Sequence, residues 1–385
     1  MHKKLSIPSF VFFLLLGIIL LSITHCIEEY SPNVDVDTSL LAIDASIVRG
    51  QVEQSVIITR SSSVENTLFI PVGKCLVAVI DDKNNVFQFE EQSGGKYTTK
   101  IDSSYLHIGA KFKLIFETPD RNIYESEFEE IIDCPPVDSL YFLEEMRYSK
   151  NKNSYIIGLR LNVDIKNLDE YSNYYRWKVN ETWEIKSKFH IDRKLLSHFT
   201  EGGKPYEIFK NTDSLRYCWK DDIILRLFSS NTLNMKNKGT KRVPLQYVFE
   251  YDERLYIRYS CLVSQYSLSE DAYIYWNNKK IEVQESGSLY TTQPSQSFSN
   301  IKNINNPGEV VLGYFWTSTV KQKRVFFDGP LTQIYFDENC ELVPIDWLRI
   351  PVIYVQTGGL VYKSSFARCF DCRLLGGTLE KPDFW

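Results

Sequence analysis

Between residues 40 and 132 the chain is written in short runs of β-branched, aromatic and aliphatic residues separated by turn signals, at roughly the 8–12-residue spacing of a β-sandwich. The runs are Leu40–Ile47, Gln54–Arg60, Lys74–Ile80, Val86–Glu90, Lys96–Lys100, Lys111–Thr118 and Ile123–Ile132. Asp81-Asp82-Lys83-Asn84-Asn85, Gln92-Ser93-Gly94-Gly95 and Thr118-Pro119-Asp120-Arg121-Asn122 supply turn chemistry between them. About seven strands in this arrangement predict an immunoglobulin-like or transthyretin-like sandwich over residues 26–137. Cys134-Pro135-Pro136 then fixes an extended backbone that cannot continue a ladder, and marks a boundary.

Residues 138–385 are again strand-rich. Runs at Asp138–Phe142, Tyr155–Asp164, Tyr174–Lys186, Ile223–Phe228, Val243–Phe249, Leu255–Gln265, Val310–Thr319 and Lys321–Phe327 predict a broad sandwich or open barrel. Aromatic residues make up 14% of the chain, which favours strands over helices. One helix is expected, Ser267–Trp276. Ser267 and Glu270 have capping-box spacing, and Leu268, Ala272 and Tyr275 share a face. The fold class is therefore mostly β, with one or two short helices. The polar stretch Gly287–Pro307 reads as a long loop over the surface.

The N-terminus carries an address. His2-Lys3-Lys4 precedes the apolar run Phe10–Ile23, which leads to Cys26, the pattern of a cleaved export signal. The string Leu21-Ser22-Ile23-Thr24-His25-Cys26 is close to a lipoprotein box, although His25 stands where a small residue is usual. Cys26 is the expected lipid attachment, residues 1–25 the leader, and the acidic Glu28-Glu29 just beyond it fits display on the cell surface. The remaining cysteines are Cys75, Cys134, Cys218, Cys261, Cys340, Cys369 and Cys372, all candidates for disulfides in an oxidising compartment. Cys75 and Cys134 fall in the first domain and are a possible pair. Cys369-Phe370-Asp371-Cys372 is a CxxC, but no second CxxC or paired histidine motif completes a zinc site.

Charge and chemistry narrow the function. Forty-four basic residues against 49 acidic ones give a net −5, which argues against nucleic acid as a partner. No HExxH, GxSxG or phosphate-binding glycine motif occurs. The acid pairs Asp81-Asp82, Glu90-Glu91, Glu129-Glu130 and Asp221-Asp222 are sequence neighbours, and neighbours on a strand face opposite ways. No catalytic residue, metal or cofactor is expected. The aromatic-rich second domain is the expected contact surface, with Tyr273, Trp276, Gln293 and Asn300 as its candidates.

Several stretches together resemble one family. They are Pro135-Pro136-Val137-Asp138-Ser139-Leu140-Tyr141, Tyr174-Tyr175-Arg176-Trp177, Cys218-Trp219, Gln265-Tyr266-Ser267-Leu268-Ser269-Glu270-Asp271-Ala272-Tyr273, Val311-Leu312-Gly313-Tyr314-Phe315, and the C-terminal Cys369-Phe370-Asp371-Cys372-Arg373 with Lys381-Pro382-Asp383-Phe384-Trp385. The chain resembles the Bacteroidota family known as domain of unknown function 4249. That resemblance implies an outer-membrane lipoprotein, held to the membrane by its N-terminal lipid and encoded beside TonB-dependent receptors. The expected function is a non-enzymatic accessory or ligand-binding subunit of such a transporter. The alternatives are a carbohydrate-active hydrolase, or an adhesin or structural surface protein.

Overall fold

A computed structural model describes residues 39–62, 68–149, 153–166, 168, 170–195, 206–208, 213–235, 239–285, 299–331, 334, 336–345, 353–357 and 361–385. Cys26, the leader and Gln293 lie outside the described residues. The principal elements are β1 (Leu41–Arg49), β2 (Gln54–Arg60), β3 (Leu76–Asp81), β4 (Val86–Ser93), β5 (Lys96–Thr99), β6 (Lys111–Glu117), β7 (Ile123–Ser126), β8 (Ser139–Ser149), β9 (Ser154–Lys166), β10 (Tyr174–Lys186), β11 (Tyr217–Ile223), β12 (Thr240–Phe249), β13 (Arg258–Ser267), α1 (Glu270–Glu285), β14 (Ile301–Asn303) and β15 (Val311–Asp328). The chain is mostly β, as its strand periodicity predicts.

The hydrogen-bonded order β11-β10-β13-β15-β1-β2-β5-β4-β3-β6-β7-β14 runs without a break through both halves of the chain. A second sheet, β8-β9-β12, packs on one end of it, and a small third sheet joins Ile353–Thr357 to Arg193–Leu195 and Val361–Ser364. The first lobe closes around Ile43, Val56, Val79, Tyr97, Phe112 and Phe116. Alternation along β1 explains this core: Leu41, Ile43, Ala45 and Ile47 are buried on one face. The second lobe is a sandwich in which Trp177, Val179, Tyr259 and Val263 face Leu159, Leu161, Val163 and Leu245.

The 137/138 boundary is not the last passage between the lobes: the chain returns to the first lobe at β14 and leaves it again within β15. β15 pairs in parallel with β1 from Leu41↔Val311 to Arg49↔Thr319, then antiparallel with β13 from Tyr266↔Val320 to Arg258↔Asp328. Phe315 and Val311 of β15, and Ile301 of β14, sit in the first core. β14 also pairs with β7. The two strands expected at Val310–Thr319 and Lys321–Phe327 are one strand of 18 residues. The run expected at Ile223–Phe228 instead links β11 to a short strand, Phe228–Asn231. These two strands pair with successive stretches of β10, so the segment between them is a corner.

Helix α1 also differs from expectation. It begins at Glu270 and extends to Glu285, while Ser267 ends β13. The cap is Ser269, whose hydroxyl accepts from the Ala272 N–H. The predicted face is correct: Leu268, Ala272 and Tyr275 are buried. They pack with Tyr266, Tyr314, Trp316 and Val48, so the helix roofs the joint between the two lobes.

Cysteine pairing corrects one expectation. Cys75, Cys134 and Cys261 are free buried thiols. The two CxxC cysteines bridge to separate partners, Cys369 to Cys340 and Cys372 to Cys218. Cys75 is held by its own strand edge, where its N–H donates to the Tyr97 hydroxyl at 3.0 Å. Cys134 lies beside Gln265, which donates to the Pro135 carbonyl at 2.9 Å and accepts from Trp177 Nε1 at 3.0 Å. That network fixes the Cys-Pro-Pro connection against β13.

Candidate functional site

Registration across β10, β13 and β15 decides which side chains share a face. Arg176, Tyr266 and Val320 form one row; Lys178, Ser264 and Gln322 the next; Asn180, Leu262 and Arg324 a third. Their immediate neighbours, Trp177, Gln265 and Val263 among them, point into the second core. This outer face is bounded at one end by α1. At the other end the C-terminus folds back: the Phe384 ring lies 3.4 Å from the Arg324 guanidinium carbon, and Trp385 meets Phe326 edge-on at 5.8 Å. Between helix and tail runs a strip carrying Lys178, Asn180, Gln322 and Arg324.

The strip is basic, and its cations are short of partners. Arg324 donates to the Ser260 hydroxyl at 2.9 Å, and Gln322 to that of Ser264 at 2.9 Å. Arg176 is only 6% exposed, with its guanidinium carbon 3.4 Å from the centre of the Trp276 ring and 5.2 Å from that of Trp316. Burial pushes its pKa down to about 10, with Asp44 on β1 the nearest acid opposing that shift. Burial and the neighbouring Arg176 charge likewise lower Lys178. Desolvation lowers Arg324 as well. Three cations held below their ordinary values on one face make an electropositive surface flanked by aromatic rings.

The four expected contact residues divide. Trp276 stacks on Arg176 at the head of the strip. Tyr273 is half-buried, its hydroxyl accepting from Asn231 at 2.8 Å and its ring 5.0 Å from Tyr174, so it packs the helix rather than offering a surface. Asn300 is a correction. It is buried in the first lobe, where its side chain exchanges both hydrogen bonds with the Phe315 backbone at 2.8 and 2.9 Å. A polar residue at a loop end reads as surface, but this one substitutes for a missing strand partner of β15. Gln293 lies outside the described residues.

Three other places carry acids or a cleft that could serve chemistry. A cleft of about 340 Å³ beside the Cys218–Cys372 bridge is lined by Trp183, Trp219, Lys220, Asp221, Asp222 and Thr378. Lys220 and Trp183 Nε1 both donate to Glu253. Asp221 and Asp222 are successive strand residues, so they do not present a facing pair across it. Asp81 is consumed by its own turn, accepting from the Lys83 and Asn85 N–H groups and from the Asn85 side chain. Glu129 accepts from Tyr314 and Ser269. Among the described residues no three His, Cys, Asp or Glu side chains converge as a metal site would require.

No curated protein matches the chain. A family model described as "Domain of unknown function (DUF4249)" matches residues 27–324, which take in the first lobe, α1 and the strands of the basic strip but not the two CxxC cysteines or the C-terminal aromatic pair. With most of its length inside that match, the chain belongs to the DUF4249 family.

Proposed function

We propose that the protein is exported, anchored at the outer membrane through a lipid on Cys26, and displayed at the cell surface. There it acts as a non-enzymatic binding subunit, an accessory of a TonB-dependent transporter. The observation that carries the binding role is the electropositive strip between α1 and the C-terminal tail, where Lys178 and Arg324 lie half-buried and the Phe384 ring covers the Arg324 guanidinium. The export reading draws support from the Cys218–Cys372 and Cys340–Cys369 bridges, since disulfides of this kind persist in oxidising compartments. The transporter partner is inferred from the family resemblance.

The test is affinity purification of the tagged protein from its native outer membrane, with mass spectrometry of its partners and of the Cys26 peptide. A stoichiometric TonB-dependent receptor and a diacylated Cys26 are the expected result. A lipidated protein recovered alone would remove the accessory role. An unlipidated N-terminus would remove the anchor.

A further inference from the structure

Three buried hydrogen-bond donors around α1 have no acceptor of their own: Arg176 Nη1, Trp276 Nε1 and Trp316 Nε1. They form a single cluster. The guanidinium lies against the face of Trp276 and near that of Trp316, and the two indoles stand edge to face with centroids 6.3 Å apart. Among the described residues the Arg176 guanidinium makes no hydrogen bond and no ion pair. Its charge is nonetheless nine-tenths buried. Lys178 follows two residues later on the same face. Lys280 of α1 reaches the carbonyl of Ser229, the residue paired with Arg176 across the neighbouring strand.

A buried cation ordinarily has a counter-charge or a full set of acceptors. Stacking on tryptophan offsets part of the desolvation, but it satisfies no N–H. Water would satisfy N–H groups without supplying charge. A guanidinium, a nearby ammonium and two indole N–H groups, with Asp44 the one acid acting on both cations, are complementary to an oxyanion, which accepts from such donors and completes the neutralisation of the cations.

We propose that this cluster seats an anionic group of the ligand, a phosphate, sulfate or carboxylate, which reaches Arg176 along the basic strip past Lys178. The proposal rests on reading the strip as a ligand site. It does not depend on the lipid anchor or on the transporter partner.

The probes are sodium phosphate, sodium sulfate and sodium succinate, titrated into the purified mature protein in detergent, with sodium chloride matching the ionic strength. Calorimetry and tryptophan fluorescence read binding. At least one oxyanion is expected to bind saturably at a ratio near one to one, to change the tryptophan emission and to raise Tm, where chloride does none of these. Which of the three binds best names the group. Arg176→Met should weaken that binding by about tenfold or more. Without ligand it should melt no lower than the parent, because it removes an unpaired buried charge. Should Arg176→Met fail to fold, Lys178→Met and Trp276→Phe, which keeps a ring and deletes the N–H, serve in its place, with the same weakening expected. The proposal falls if none of the three anions binds at millimolar concentration. It also falls if the folded variants bind with the affinity of the parent. Oxyanion binding without a co-purifying receptor would leave this inference standing and remove only the accessory role.

Discussion

Glu129 shows how far a single residue's role can depend on distant sequence. It is buried, and its two carboxylate oxygens accept from Tyr314 at 2.7 Å and from Ser269, the cap of α1, at 2.9 Å. Burial raises its pKa above the ordinary carboxylate value, and these two hydrogen bonds oppose the shift only in part. The folded chain therefore holds the Glu129 proton more tightly than the unfolded chain. Its contribution to stability is fullest below the ordinary carboxylate pKa and is lost as pH rises through the raised folded value. Glu129→Gln cannot ionise and keeps a carbonyl for one hydroxyl. Its stability relative to the parent should thus grow with rising pH, as denaturant melts between about pH 4 and 8 would measure. A constant difference across that range would assign the loss elsewhere. In sequence Glu129 belongs to one of several acid pairs and is indistinguishable from the solvated ones, because its partners lie 140 and 185 residues away. Arg176 was hidden for the same reason. Strand alternation puts it on the face opposite Trp177, and only α1, about a hundred residues later, turns that face into an interior. Trp276, by contrast, stood out as a bulky aromatic on a cappable helix.

At the scale of elements, β15 is the strand on which both lobes depend, and Gly313 is its tightest point. Its φ is +114°, and a Cβ there would fall 2.0 Å from the Ile43 carbonyl oxygen and 2.8 Å from the carbonyl carbon of β1. Backbone that close cannot yield without breaking the β1–β15 ladder. Gly313→Ala should therefore cost on the order of 3 kcal/mol or more, or prevent folding, where Gly308→Ala, with only a side-chain oxygen 3.8 Å away, should be nearly neutral. Urea titration of the two variants side by side distinguishes them, and equal losses would contradict the close approach. Most strand positions were legible because alternation and turn residues are local signals: β2 and β10 begin and end where the pattern does. β15 read as two strands because its partner changes from β1 to β13 near Val320, and the buried side changes core with it. Helix α1 was read short because its second half, Asn277-Asn278-Lys279-Lys280 onward, buries little and loses the apolar stripe.

The interlocking of the two lobes governs the behaviour of the whole molecule. The Cys218–Cys372 bridge spans 154 residues, tying the C-terminal segment to β11 at the free end of the long sheet. At the other end of that sheet, β14 closes the first lobe against β7. Sequence patterning placed a boundary at the Cys-Pro-Pro connection, and the backbone there does leave the first lobe. The patterning had no means of registering a return after more than 160 residues. The first core contains Ile301, Val311 and Phe315, all nearly fully buried, and β1 has only β2 as a ladder partner once β15 is gone. A fragment of residues 26–137 would thus expose one edge of β1 along its whole length and leave space where three apolar side chains belong. Losing a buried residue of this size costs about 2–5 kcal/mol, and three such losses are as large as the whole stability of a domain of roughly a hundred residues. The fragment is expected to lack a cooperative thermal transition by circular dichroism and to self-associate through the β1 edge. Joining residues 299–319 to it through a flexible linker should restore a single cooperative melt, because that segment carries β14, the first half of β15 and the Asn300 side chain that satisfies the Phe315 backbone. A fragment ending at Val137 that folds and remains monomeric would mean that the first lobe is self-sufficient and that the β1–β15 pairing only docks it onto the second.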